Sequence, residues 1–588
     1  MKLKYIIPAF ALAATLAGCD ENSFLDIKPQ GTLSNSSLSN AKGVDLLTTA
    51  AYAALRNGDM FTPNTNWTYG EVRSDNAYKG GGGTGDGGEV HLLEVLDIDA
   101  TWGNADVKWF QLYCDVQRCD SALKVLNDCS EEEIADLKSQ KAEMRVLRAH
   151  FYFELARLFK QIPYFDENVD INAYDQISNV EFTRDQILGM IAEELTSAAE
   201  DLPEKQAEVG RVNKYVAYAY AAKVKLYQAY RQNDQTNQVE SIDKNLMREV
   251  VQLCDKLEGK YDLLDDFQKL DLLAYENGAE SVFAVQYSMN DGSGVDGGAG
   301  CYNRSMLLNA PQGPYSGDGF FLPSQNLINA FKTDANGLPL FDTYNNEDYD
   351  VITFVDGKAV NTQIDSNVDP RLDFIVGRPN ITWKTYPNTP CLTSWVRNTS
   401  DYGYHCCKRF YVSPESPDMY KGWPWGASAL NWQIIRYADV LLWKAEALIE
   451  IGEEAGLEQA RQIINRIRRR AANENTWVKD FADPAKYAAN YKIGEYPAAG
   501  WNQAYARKAL RFETRLETAM EGERFFDLVR WGIAEEVMNQ YFDTEKEKRV
   551  YYTIANFTKS RDEYLPISKP QYNFSHGLYK QNPGYGDF

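Results

Sequence analysis

The chain has 588 residues, with 61 Lys+Arg against 84 Asp+Glu, a formal net charge of −23 and 44% apolar residues. The apolar share excludes a disordered chain and the length allows a large core. The acidity excludes a general nucleic-acid binder and disfavours docking on an anionic membrane surface, because both need a basic footprint. Four His demote His-based metal or acid–base chemistry, whereas 37 Tyr, 26 Phe and 12 Trp supply flat apolar faces. Tyr and Trp add a polar edge to those faces.

Residues 1–18 read as an export signal. Lys2 and Lys4 form a positive start, and Tyr5 to Ala17 is apolar but too short for a membrane span. Leu16-Ala17-Gly18-Cys19 matches a lipobox. Its chemistry needs the Cys19 thiolate to take a diacylglycerol, with small residues ahead of it to fit the peptidase. Acyl chains on Cys19 would hold the protein on a membrane without a spanning helix. Residues 19–42, rich in Ser and Asn from Thr32 to Asn40, read as a tether.

The body, residues 43–588, reads as mainly α. Lys141 to Phe159 places Met144, Leu147, Phe151, Leu155 and Leu158 on one helical face. Thr183 is a candidate cap for a helix to Ala199, and Asn213 for one to Tyr230. Another helix is predicted over Lys244 to Leu257, and a strand over Ser281 to Tyr287. From Asn290 to about Asn431, Gly, Pro, Asn, Asp and aromatics crowd together and no long helical period survives except near Ser324 to Phe331. Helical order returns over Ile434 to Ile451 and Leu457 to Arg470, a pair joined by a Gly-containing turn, and over Asn502 to Met538. The pattern is a helical scaffold (about 43–280 and 432–540) around a loop-rich insertion (about 281–431).

Six segments, in order, then match one family. They are Phe24-Leu25-Asp26-Ile27-Lys28-Pro29; the helix Lys141 to Tyr152 with Ile162-Pro163 after it; Asp369-Pro370-Arg371-Leu372; Arg436-Tyr437-Ala438-Asp439-Val440 leading to Ala445-Glu446-Ala447; Glu521-Gly522-Glu523-Arg524 continuing through Asp527-Leu528-Val529-Arg530-Trp531-Gly532; and Leu565-Pro566-Ile567 with Gln581-Asn582-Pro583-Gly584-Tyr585. With the lipobox, the chain resembles the SusD/RagB family of surface nutrient-binding lipoproteins. The resemblance implies a SusD-like α-superhelix with tetratricopeptide-like helix pairs. It also implies a lipid anchor on the outer face of the outer membrane and a SusC-like TonB-dependent transporter as partner. The run Glu521, Arg524, Asp527, Arg530 recurs every three residues. It is expected to form i,i+3 ion pairs that lock helices rather than contact a ligand.

Two stretches match G-x-G-x-x-G, at Gly83-Gly85-Gly88 and Gly292-Gly294-Gly297. Neither shows the strand-then-helix context of a dinucleotide site, and both are read as mobile loops. His405-Cys406-Cys407 lacks the spacing of a zinc site. The eight cysteines after Cys19 could pair after export, but their spacing assigns no partners. No cofactor and no metal are expected, with structural Ca²⁺ left open.

Sugar rings stack apolar C–H faces on Trp and Tyr, and their hydroxyls need short polar side chains. Two regions mix these residue types on predicted loops. The first contains Trp67, Asp75, Asn76 and Tyr78, then Trp102 and Asn104. The second contains Tyr302 and Tyr315, with Trp383, Trp395, Trp423 and Trp425 beyond. In the family, ligand contacts commonly come from these two parts of the chain. The expectation is a non-enzymatic oligosaccharide-binding protein. A peptide-binding importer component is the alternative, and a glycoside hydrolase, which would need only two carboxylates, stands third.

Overall fold

The computed structural model describes residues 38–56, 59–292, 301–303, 306–384, 386–423, 425–586 and 588. The export signal, Cys19, the tether up to residue 37 and most of the second glycine motif lie outside these residues.

The scaffold begins with α1 (Ala41–Ala54), where the Asn40 side chain accepts from Gly43 N–H at 3.1 Å. Then come α2 (Gly103–Asn127), α3 (Leu137–Phe159), α4 (Arg184–Asp201), α5 (Lys214–Ala229) and α6 (Lys244–Asp255). The predicted caps are present. Thr183 and Gln186 form a reciprocal capping box, and the Asn213 side chain accepts from Tyr215 and Val216 N–H. The α3 residues Met144, Leu147, Phe151, Leu155 and Leu158 are all buried, each worth roughly 1.5–3 kcal/mol against exposure. Each helix from α2 to α6 packs on the next, and α6 packs on α7 (Tyr437–Ile451), far along the chain. Then α7 packs on α8 (Glu454–Ala471) and on α9 (Gln503–Glu517). The result is a superhelix of helix pairs around one continuous core.

Four short strands position the loops: β1 (Ala77–Gly80), β2 (Ser281–Val285), β3 (Phe320–Pro323) and β4 (Trp432–Arg436). The insertion leaves the scaffold along β2 and rejoins it along β4, an antiparallel pair with Trp432 opposite Val285. Inside the insertion, β3 pairs antiparallel with β1, so the insertion and the N-terminal region share a ladder.

Two predicted helices differ. Ile434 lies in β4, and α7 starts at Tyr437, because the Asp439 carboxylate accepts from Arg436 N–H at 2.7 Å and caps the helix there. The stretch Asn502 to Met538 is three helices: α9, α10 (Arg524–Arg530) and α11 (Ala534–Lys548). Met520, Gly522 and Gly532 between them have φ of 68°, 90° and 69°, a left-handed conformation that no helix interior accepts.

The matched motifs are buried and cross-linked. Arg371 pairs with Asp369 (2.7 Å), Glu513 (2.7 Å) and Glu517 (3.1 Å), and Arg436 pairs with Glu280 (2.8 Å), Glu517 (3.1 Å) and Glu521 (3.0 Å). The expected i,i+3 pairing holds only for Asp527–Arg530, at 2.8 Å. Arg524 reaches Asp75 instead, Glu521 takes Arg409 and Arg436, and Arg530 reaches Glu446 on α7. Packing sets these partners, because a buried guanidinium needs a carboxylate from whichever element faces it.

Several buried acids titrate far from their ordinary range. Burial pushes Asp439 up to about 7, and Asp120, Asp527 and Asp562 up to about 6. Burial alone would also raise Glu517 and Glu154. The guanidiniums around Glu517 (Arg470, Arg436, Arg371) and Arg157 beside Glu154 overcome it and hold both at about 2. From about pH 4 to 7 the folded chain therefore holds more protons than the unfolded chain, so stability falls as pH rises through that window. Below about pH 4 the depressed carboxylates dominate, and stability falls as pH drops toward 2. The melting temperature is expected to peak near pH 4–5 and to decline by a few degrees toward pH 7.5. Scanning fluorimetry across pH 3–8 checks this, and a melting temperature that climbs steadily from pH 5 to 8 would contradict it.

Candidate functional site

The insertion and the N-terminal region meet in a buried aromatic layer beneath an exposed loop face. Trp67 packs against Phe321 (5.6 Å) and Phe320 (6.4 Å), and Tyr69 sits edge-on to Trp102. On the insertion side, Trp395 is edge-on to Trp383 at 5.1 Å, and Trp383 Nε1 donates to Tyr315 Oη at 3.0 Å. Tyr315 Oη in turn donates to the Val412 carbonyl at 2.8 Å.

Most of the predicted ligand residues are therefore inside this layer. Trp67, Tyr78, Trp102, Tyr315 and Trp395 are buried, so their rings offer no face to a ligand. Trp102 Nε1 donates to the Glu89 carbonyl at 3.0 Å, and Tyr78 Oη donates to Glu545 at 3.0 Å under the Arg549 guanidinium. Asp75 and Asn76 are buried as well. The Asp75 carboxylate takes Arg524 (2.8 Å) and Arg515 (3.1 Å). Burial would raise its pKa, but these two cations more than offset that and hold it at about 2. Asn76 donates to Glu71 and accepts from Arg515, each at 2.8 Å. Asn104 is half-buried, and its carbonyl accepts from Tyr69 Oη. Aromatic and polar residues alternate here because the layer is a core whose Asp75 and Asn76 side chains are spent on internal partners, a pattern that a sequence shares with a binding loop.

The remaining predicted residues lie on the surface side. A hairpin runs from Met419 to Ser428, with Tyr420 N–H donating to the Ala427 carbonyl at 2.8 Å. Its tip carries Trp423, 52% exposed, and Trp425, half-buried. Tyr302 is 5% exposed because Tyr420 stacks over it at 4.9 Å and 22°. Asn303 ties this stack to the hairpin base through Ser428 and Leu430.

The hairpin adjoins Ala310 and Tyr315 at Gly426, next to its tip, and Ala310 accepts from Gly319 N–H at 2.9 Å. Beside Gly319, Arg397 Nη1 donates to the Asp318 carbonyl and to Asp86 Oδ2, both at 2.9 Å. Asn398 holds Asp401 at 2.7 Å. Burial, with Asp86 nearby, raises the Asp318 pKa. This half-exposed rim of Asp86, Arg397, Asn398 and Asp401 was not singled out in the sequence. Asp86 lies more than 300 positions from Arg397, Asn398 and Asp401, although Arg397 comes two residues after Trp395.

The first glycine motif forms part of that rim, and the structure corrects its reading as a mobile loop. The buried Lys79 ammonium donates to the carbonyls of Gly80 (2.9 Å), Gly83 (2.9 Å) and Asp86 (2.5 Å), and lies over the Phe320 ring at 5.0 Å. The loop does follow a strand, β1, and enters a short helix, Gly88–Glu94. It is still no phosphate cradle, because its carbonyls rather than its amides face the centre.

Among the described residues, no group of three or more His, Cys, Asp or Glu is placed to hold a metal, and no helix is long and apolar enough to cross a membrane. His405 instead bonds Asp350 at 2.9 Å. Cys114, Cys119, Cys129, Cys254, Cys391, Cys406 and Cys407 form no disulfide among the described residues.

Comparison with known proteins gives a consistent result. The family model described as "SusD family" matches residues 279–585, and one described as "Starch-binding associating with outer membrane" matches residues 23–226. The SusD-like protein P2 of Formosa agariphila is 25% identical over 99% of this chain and 100% of its own length. A SusD-like protein of Bacteroides fragilis superposes with a TM-score of 0.68 at 20% identity, covering 94% of this chain and 99% of that one. Surface glycan-binding protein A of Bacteroides thetaiotaomicron, solved in complex with laminarihexaose, superposes with a TM-score of 0.60 at 19% identity, covering 92% and 99%.

Proposed function

The chain belongs to the SusD family, and on that premise we propose that it is a cell-surface glycan-binding protein whose loop face captures oligosaccharides. The observation that carries this reading is Trp423. It is a large ring held half in solvent at the tip of a hairpin that is itself clamped by the Tyr302–Tyr420 stack. An indole presented this way can stack on a sugar ring, and the polar side chains of the rim, Arg397, Asp86 and Asn398, are of the kind that take sugar hydroxyls. The rigid aromatic layer below lowers the cost of ordering the site when ligand arrives. No step of covalent chemistry is assigned to it. Cys19 is the proposed lipid attachment point at the outer face of the outer membrane. A SusC-like TonB-dependent transporter is the proposed recipient of the glycan, with this protein as its lid.

The test is calorimetry of the purified protein against a glycan panel that includes laminarihexaose, with short peptides in parallel. Trp423→Ala is expected to weaken binding of the recognised glycan about tenfold, equivalent to about 1.4 kcal/mol. The melting temperature should stay unchanged, because the ring is half in solvent. Binding of peptides with no glycan in the panel bound would overturn the glycan reading in favour of a peptide importer component.

A further inference from the structure

A second cleft lies on the helical scaffold, between α9, the segment around Phe341–Asn346 and α11. Its volume is about 630 Å³, within the range of small-ligand sites. On α9, Arg507, Arg511 and Arg515 recur every four residues with Lys508 beside them, and Arg524 of α10 joins them. Like charges at that spacing repel and need compensation.

Four of the five cations have it. Arg507 forms a two-pronged pair with Glu450 at 2.7 and 2.6 Å, Lys508 reaches Asp342 at 2.5 Å, and Arg515 and Arg524 share Asp75. Arg511 is left over. Among the described residues it makes no ion pair, and its buried Nε has no hydrogen-bond partner. Its guanidinium lies over the Trp531 ring at 5.3 Å. The last carboxylate of the lining, Glu536, is an exposed residue on α11. In a chain of net charge −23 this lining carries five cations against three carboxylates. Burial lowers the Arg511 pKa, and Glu446 and Glu450 nearby only partly offset it.

The cleft also offers ring surface. Phe512 sits edge-on to Phe341 (5.4 Å) and Tyr344 (5.5 Å), and all three are half-buried. We propose that this cleft is a second binding site, for an acidic saccharide whose carboxylate or sulfate group pairs with Arg511 while its ring lies against Phe341, Tyr344 and Phe512. The proposal rests on the glycan reading only for the saccharide part of the ligand. The anion requirement stands on Arg511 itself.

The test titrates the protein with trigalacturonate, a sulfated trisaccharide, inorganic sulfate and a neutral glucose trisaccharide, at low and high salt. Trigalacturonate or the sulfated trisaccharide is expected to bind, more weakly at high salt, and which of them binds identifies the anion. Arg511→Met should lose at least tenfold of that affinity with no drop in melting temperature, because it removes an uncompensated charge and keeps an apolar contact on Trp531. Arg511→Lys should retain part of the affinity. Trp423→Ala should leave acidic binding intact, so failure of the loop-face site and failure of this one are separately visible. Equal affinity of wild type and Arg511→Met would overturn the proposal, as would binding of inorganic sulfate without either acidic saccharide, or no binding of any acidic probe. A large loss of melting temperature in Arg511→Met with full binding in Arg511→Lys and wild type at both salts would assign Arg511 to packing and overturn it too.

Discussion

Gly70→Ala is expected to yield almost no soluble folded protein. Gly70 lies in the one-turn π-helix Trp67–Val72, and a methyl group built on it lands on the carbonyl oxygen of Gly522. Neither backbone can retreat. Gly522 holds a φ of 90°, and its N–H donates to Glu71 Oε1 at 2.9 Å, while Asn76 holds the other carboxylate oxygen at 2.8 Å. A side chain on Gly522 would in turn strike the Thr65 carbonyl. Overlap of two clamped backbones belongs to the rare class of substitutions costing more than about 4 kcal/mol. Gly85→Ala is the control, because a methyl there meets nothing within 4 Å. Soluble yield and urea midpoints of the two variants give the comparison. If Gly70→Ala unfolds within about 1 kcal/mol of wild type, the close approach is not what joins the N-terminal region to the α9–α10 turn. The same contact explains why a glycine follows Glu521 here: it serves a backbone crossing.

The second large effect is expected at Arg436. Its guanidinium is 1% exposed and bridges Glu280, Glu517 and Glu521, while Arg470 pairs with Glu280 at 2.9 Å and Arg371 with Glu517 at 3.1 Å. Arg436→Met keeps the volume and removes the charge, leaving more buried carboxylates than cations. Breaking a buried pair in this way costs about 3–5 kcal/mol, much of it the penalty for the stranded partners. The exposed pair Arg469–Glu495, at 2.8 Å, should by contrast give less than about 1 kcal/mol on Arg469→Ala. Urea denaturation of both variants separates the two cases. A cost below about 1 kcal/mol for Arg436→Met would mean that water or rearrangement satisfies the cluster. Because Glu517 is held at about 2 by these cations, the deficit of Arg436→Met should shrink as the pH falls and the stranded carboxylates protonate.

The aromatic residues show where local composition misjudges exposure. Trp67, Tyr78 and Trp102 lie among Asp, Asn and Gly, as binding residues would. Yet each is buried, and the nearby Asp75 and Asn76 serve Arg515 and Arg524. Local composition cannot separate a wet aromatic loop from a dry one, because the difference lies in what packs on it from elsewhere. Trp67 is covered by Phe320 and Phe321, about 250 positions away. Trp423 carries no stronger local signal than Trp395, and only the surrounding chain leaves the first exposed and the second enclosed.

The sequence by itself determined several of the helices with the Thr183 and Asn213 caps, and the family. Those follow from period, capping chemistry and short motifs, which act over a few residues. Only the tertiary structure decided which aromatics face solvent, which acid meets which guanidinium, and that one arginine on α9 is left without a counter-ion. Those depend on contacts between segments hundreds of residues apart, where no local pattern carries the information.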